Sequence, residues 1–178
     1  MPHFSRRQFL KIGICAAVSL GIPQLASASI PVKSLSFYHL HTGEKLKVAY
    51  AEYGQYIPSA MQELNHFLRD WRTGDTHHID PKLLDQLYTL QQRMETHTPF
   101  DVICGYRSPK TNQMLHEQTE GVATHSLHLE GRAIDVRLPG KDLSRLHRAA
   151  LSMQAGGVGY YPSSDFIHID TGRLRHWG

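Results

Sequence analysis

The chain has 178 residues, with 19 Lys and Arg against 16 Asp and Glu, 13 His and 2 Cys. A net charge of +3 is too small for the basic footprint of a nucleic-acid binder. The size suits one domain with its own core.

The first element in chain order is a leader. Ser5-Arg6-Arg7-Gln8-Phe9-Leu10-Lys11 reads as a twin-arginine export signal, followed by an apolar run from Ile12 to Ile22 and a small-residue cleavage site, Ala26-Ser27-Ala28. The run is about half the ~20 residues needed to cross a bilayer. Residues 1–28 are therefore expected to be a cleaved signal peptide, handed to the Tat translocase and leaving no permanent membrane anchor. The mature domain, 29–178, is then expected in the periplasm. Arg6, Arg7 and Lys11 leave with the leader, so cations and anions of the mature part balance. Cys104 remains as a single thiol with no intramolecular disulfide partner, and following Phe100 to Ile103 it reads as a small buried hydrophobe.

Phe37 to Tyr50 reads as a hairpin, with Leu46, Val48 and Tyr50 alternating and Thr42-Gly43 at the turn. His39 and His41 share a face there without a third metal donor. Pro58 to Trp71 is helical, its stripe formed by Met61, Leu64, Leu68 and Trp71, and Gly74 ends it. Asp80 caps a second helix, with Pro81 in its first turn and Leu83, Leu84, Leu87, Leu90 and Met94 inward. A strand at Phe100 to Cys104 leads into Gly105-Tyr106-Arg107-Ser108, and a third helix runs from Lys110 to Gln118. Glu120 to Glu130 is expected to be a loop delivering His128. Arg132 to Leu138 alternates as a strand, Lys141 to Met153 is a fourth helix, and strands at Val158 to Tyr161 and Phe166 to Thr171 form a terminal hairpin. The fold class is α+β, one domain with helices packed on a small, mainly antiparallel sheet.

Two segments carry the chemistry: Ser126-Leu127-His128-Leu129-Glu130-Gly131-Arg132-Ala133-Ile134-Asp135 and Phe166-Ile167-His168-Ile169-Asp170. Strand alternation places Asp135 opposite the apolar face of its strand, and puts His168 with Asp170 away from Ile167 and Ile169. Two imidazoles and a carboxylate make an open zinc site, in which a fourth position is left for water. The competing reading is a structural His and an Asp paired with Arg132 or Arg137.

These motifs resemble those of the zinc peptidases that share a fold with D-alanyl-D-alanine dipeptidases and the hedgehog signalling domain. Leu40-His41-Thr42-Gly43-Glu44, Gly105 to Ser108, and Ala155-Gly156-Gly157-Val158-Gly159-Tyr160-Tyr161-Pro162 narrow the resemblance to murein endopeptidases. It implies one zinc ion held by His128, Asp135 and His168, with Arg107 holding a substrate carbonyl or carboxylate. It also implies a general base three residues before the last ligand, at Asp165, whereas strand parity favours Asp170. Asp170 is alternatively a group that orients an imidazole. His125 reads as loop surface, and His176 as a transition-state donor. The implied activity is hydrolysis of cross-links between peptidoglycan stem peptides, 3-3 diaminopimelate links above all. The alternatives are a D,D-carboxypeptidase or dipeptidase trimming stem peptides, and an inactive zinc-stabilised wall-binding module. No nucleic-acid partner is expected, and the oligomeric state is left open.

Overall fold

The computed structural model describes residues 32–118 and 123–178; the expected leader and part of the loop before His128 lie outside them. An eight-stranded sheet forms the body, with strand order β3-β2-β1-β4-β5-β7-β6-β8. In chain order these are β1 (Val32–His39), β2 (Lys45–Glu52), β3 (Gln55–Tyr56), β4 (Phe100–Cys104), β5 (Ala133–Arg137), β6 (Gly157–Tyr161), β7 (Phe166–Asp170) and β8 (Arg175–Trp177). Pairing is antiparallel except at β1–β4 and β6–β8. The helices are α1 (Pro58–Phe67), α2 (Pro81–Arg93), α3 (Pro109–Gln118) and α4 (Leu143–Met153). Among the described residues no helix is long and apolar enough to cross a membrane.

Alternation builds the core. Leu35 and Phe37 of β1, Leu46 and Val48 of β2, Ile134 and Val136 of β5, and Ile167 and Ile169 of β7 join one buried cluster with the leucines of α2 and Leu146 of α4. The β1–β2 hairpin turns at Gly43, whose φ of +72° suits a residue without Cβ. Asp80 caps α2 by accepting the Lys82 N–H, and Asp142 caps α4 by accepting that of Arg145.

Several elements depart from the sequence reading. The first helix stops at Phe67 rather than Trp71. Beyond it the Leu68 carbonyl accepts the Tyr106 N–H at 2.8 Å, and the Asp70 carboxylate accepts the N–H groups of Arg72 and Ser108, both at 2.9 Å. Tertiary partners thus capture the chain before the apolar stripe ends. Residues Leu127–Glu130 form a 3-10 turn inside the expected loop. The strands β3 and β8 are of two and three residues, too short to leave a periodic signal.

His39 is fully buried at the end of β1. Its Nδ1 accepts the N–H groups of His41 and Thr42, at 3.3 and 3.4 Å, so Nε2 carries the proton and has no partner among the described residues. Burial, and then the neighbouring His41, push its pKa down to about 4. The unfolded chain protonates this imidazole near 6.5, so its contribution to stability is complete above that pH and is lost as pH falls towards 4. The total is about 3 kcal/mol. In urea unfolding, His39→Asn should flatten the stability difference between pH 7 and pH 4 by that amount; a slope equal to the parent's would refute it.

Candidate metal centre

Strands β5 and β7 set the frame: Asp135 pairs directly with His168, and Ala133 with Asp170. The side chains of these four residues project from the face opposite the isoleucines. His128 reaches the same face from the 3-10 turn. Ser126 caps that turn by accepting the His128 N–H, and Gly131 closes it in the left-handed region at φ +64°. A Cβ on Gly131 would also lie 2.1 Å from the His78 carbonyl oxygen, so both conformation and space require glycine.

Three ligand-type atoms converge. His128 Nε2 lies 3.2 Å from His168 Nδ1 and 3.3 Å from Asp135 Oδ1, and His168 Nδ1 lies 2.9 Å from Asp135 Oδ1. All three residues are buried. The outer ring nitrogens decide the tautomers: His128 Nδ1 donates to the Gly105 carbonyl at 2.7 Å, and His168 Nε2 to the Asp170 carboxylate at 3.0 Å. The inner nitrogens therefore present lone pairs to each other and to a carboxylate oxygen. Three acceptors at this separation repel unless a proton or a cation lies between them. Their spacing is close to the ~3.3 Å edge of a tetrahedron whose centre-to-ligand distances are about 2.0–2.1 Å, and the N/N/O set suits zinc. Without a cation, burial disfavours the charged imidazole, but Asp135 beside it raises the His128 pKa well above its ordinary value. Burial likewise opposes ionisation of Asp135, yet the two histidines hold its carboxyl far below the usual range.

Asp170 stands behind His168. It is fully buried and accepts from Arg175 twice (2.6 and 3.0 Å), from the Gly157 and Gly172 N–H groups (3.0 and 2.8 Å), and from His168. Burial alone would raise its pKa, but these hydrogen bonds, led by those of His168 and Arg175, hold it well below the carboxylate range. The glycines of β6 make room for the clamp: a Cβ on Gly157 would meet Asp170 and Arg175 at 2.4 and 2.5 Å, and one on Gly159 would meet the Trp177 ring at 2.7 Å.

A cavity of about 750 Å³ opens over the three donors, lined also by Arg107, His125, Tyr161, Phe166, Arg175 and Trp177. Arg107 donates to Asn112 Oδ1 at 3.3 Å and to Cys104 Sγ at 3.6 Å, and its buried Nε has no partner among the described residues. Among the described residues no carboxylate pairs with it. Asn112 also donates to the carbonyls of Ala123 and Thr124, tying Arg107 to the loop that leads to His128.

The remaining expected site residues divide between the cavity and other surfaces. Asp165 is exposed, pairs with Arg137 at 3.3 Å, and lines a separate small pocket with Asp101. Asp170 lies on His168's face, as parity predicts, but behind the ring and with both oxygens engaged. His176 is exposed on β8, and alternation turns it away from Arg175 and Trp177, which face the cavity; it lies near His147 of α4, whose pKa is lowered by burial and then by His176. His125, read as loop surface, lines the cavity.

The sequence reading missed Arg175, Trp177 and Tyr161, and assigned Cys104 to the core. A bulge between Val102 and Cys104 skips Ile103 and pairs Cys104 with Asp135. Its Sγ thereby comes within 4.8 Å of ligand atoms of His128 and Asp135. The one available signal was the Gly157-x-Gly159 spacing, which marks a strand face kept bare for another segment to cross.

The family model and the similar sequences both span nearly the whole chain. The family model described as peptidoglycan L,D-endopeptidase MepK matches residues 27–177. Peptidoglycan L,D-endopeptidase MepK of Escherichia coli (strain K12) is 46% identical over 176 residues, 97% of each chain. The probable peptidoglycan L,D-endopeptidase MepK of Haemophilus influenzae is 37% identical over 180 residues, 97% of this chain and 95% of that one. The crystal structure of Serratia marcescens L-Ala D-Glu endopeptidase ChiX overlaps with a TM-score of 0.36 at 18% identity, over 53% of this chain and 68% of that chain. Matched by the family model from the expected cleavage region to Trp177, and aligned with relatives almost end to end, the chain belongs to the peptidoglycan L,D-endopeptidase MepK family.

Proposed function

We propose that this chain is a zinc-dependent murein endopeptidase of the periplasm, exported through its twin-arginine leader, that hydrolyses peptide cross-links between stem peptides and prefers 3-3 diaminopimelate links. Family membership supports the substrate class. One observation supports the metal above all: three buried acceptor atoms face one another at 2.9–3.3 Å while the outer nitrogens of both imidazoles are already engaged.

His128, Asp135 and His168 would hold one zinc ion, which when bound polarises a carbonyl and makes water nucleophilic near neutral pH. Arg107 has no acid partner among the described residues, so its guanidinium is available to a carbonyl or carboxylate of the substrate. Asp170 keeps His168 in the tautomer that turns Nδ1 inward, a positioning role rather than that of a base. Asp165 and His176 are given no part in the chemistry, because neither faces the cavity.

Arg107, with no acid partner among the described residues, also suits a terminal carboxylate, the mark of a carboxypeptidase. Zinc-loaded 29–178, incubated with purified muropeptides and analysed by chromatography, separates the readings. The expected result is conversion of 3-3 linked dimers into monomers, abolished by a chelator. Shortened stems with intact dimers would indicate the carboxypeptidase. Intact muropeptides with zinc fully bound would indicate a binding module and overturn the proposal.

A further inference from the structure

We infer that Tyr161 is a catalytic hydrogen-bond donor, directed at the carbonyl oxygen of the scissile peptide, and that Trp177 is the positioning residue that aims it. The inference rests on the endopeptidase reading above and adds a residue to its machinery.

Tyr161 ends β6 on the same face as Gly157 and Gly159, and Gly159 pairs directly with His168. The phenol is accessible and lines the cavity, and its ring stacks on Phe166 at 4.6 Å with 18° between planes. Trp177 Nε1 lies 2.9 Å from its hydroxyl oxygen. An indole nitrogen only donates, so the phenol oxygen is the acceptor of that bond. The phenol's own proton then has no protein acceptor among the described residues and is free for a ligand in the cavity. Accepting one hydrogen bond also strengthens a hydroxyl as a donor.

The aim is fixed from behind. The indole lies across Gly159, where even a Cβ would approach it to 2.7 Å, and the Arg175 guanidinium stands 5.0 Å from its ring. The indole centroid is 5.2 Å from that of His168, so the ring that holds the phenol also lies beside a metal donor, and all three residues line one cavity. The sheet order β4-β5-β7-β6 brings Arg107, which follows β4, and Tyr161, on β6, to opposite flanks of the strands bearing Asp135 and His168. A carbonyl over the donors is thus met by a guanidinium from one side and a phenol from the other. During hydrolysis water adds to the carbonyl carbon, the C–N bond breaks and the amine leaves with a proton. Tyr161 keeps its proton throughout and stabilises the charge growing on oxygen.

Steady-state kinetics of zinc-loaded 29–178 on muropeptide dimers test this, with zinc content and melting temperature measured on each variant. Tyr161→Phe keeps the stacked ring and should lower kcat by about 10²-fold, with KM, zinc content and melting temperature close to the parent's. Trp177→Phe should lower kcat about tenfold, the worth of one ordinary hydrogen bond. The double variant should be no slower than Tyr161→Phe, because Trp177 acts through the hydroxyl. Parental kcat in Tyr161→Phe, or a loss seen only in KM or melting temperature, overturns the catalytic assignment. Losses that multiply in the double variant overturn the role of Trp177. A zinc-loaded parent that cleaves no dimer overturns the endopeptidase reading itself, and this inference with it.

Discussion

Replacing Asp135 by Asn should remove zinc and turnover together. The side chain is buried, and its Oδ1 touches both His128 and His168. Asn has nearly the same shape but supplies a neutral oxygen, a far poorer ligand than a carboxylate, and it withdraws the only anion among the three donors. Losing an outer partner of a metal ligand costs about 10–100-fold in affinity, and losing a ligand should cost more. The purified variant is expected to carry almost no zinc and to leave muropeptide dimers at background. Elemental analysis beside the digestion checks this; parental zinc content in Asp135→Asn would remove the carboxylate from the ligand set. The isosteric amide should leave the fold intact, because the isoleucines on the opposite face of β5 and β7 carry the packing.

Asp170→Asn should act on stability and zinc affinity rather than directly on the chemistry. Five hydrogen bonds enter this buried carboxylate, two of them from Arg175. An amide must turn its NH₂ towards some of these donors and leaves the Arg175 charge without its anion. Removing one partner of a fully buried pair costs about 3–5 kcal/mol; with the Arg175 side chain one-third exposed the loss should lie at or below the lower end, about 2–3 kcal/mol, which urea unfolding of the metal-free protein would read. Zinc affinity, measured against a chromophoric chelator, should fall about 10–100-fold as His168 loses its orienting partner. The pH dependence has a definite sign. The folded pKa of Asp170 is depressed, so its stabilisation is present above the ordinary carboxylate pKa of about 3.9 and is lost as pH falls below it. The same variant separates the two roles considered for Asp170. A base would lose about 10²–10⁴ in rate with zinc affinity unchanged, whereas a positioning group should recover most of its rate once zinc is saturating.

The juxtaposition of His128, Asp135 and His168 is legible in the sequence, because period-two alternation on β5 and β7 assigns faces and the Gly131 turn returns the chain to them. The capped helices are legible for a similar reason, since Asp80-Pro81 is a local signal that no tertiary contact overrides. Cys104 was illegible. A bulge adds one residue to a strand without changing its composition, so a period-two count puts Cys104 with Val102 when it pairs beside Asp135. The Asp165 and Asp170 question was illegible for another reason: parity assigns a face but not which ring nitrogen of His168 turns inward, and that rotation puts Asp170 behind the ring. Arg175 and Trp177 belong to a three-residue strand fixed by parallel pairing with β6, a contact between segments with no periodicity of its own. Helix α1 ends where Tyr106 and Ser108 bind residues 68–70, which local propensity cannot foresee.

The central claim is that His128, Asp135 and His168 hold the zinc ion on which murein hydrolysis depends. Titrating zinc into metal-stripped 29–178 while following release of monomers from 3-3 linked muropeptide dimers tests it most directly. Turnover should be absent at the start, rise in proportion to added metal and reach a plateau at about one equivalent per chain. Full turnover in the stripped protein, or intact dimers at the plateau of bound zinc, would contradict it.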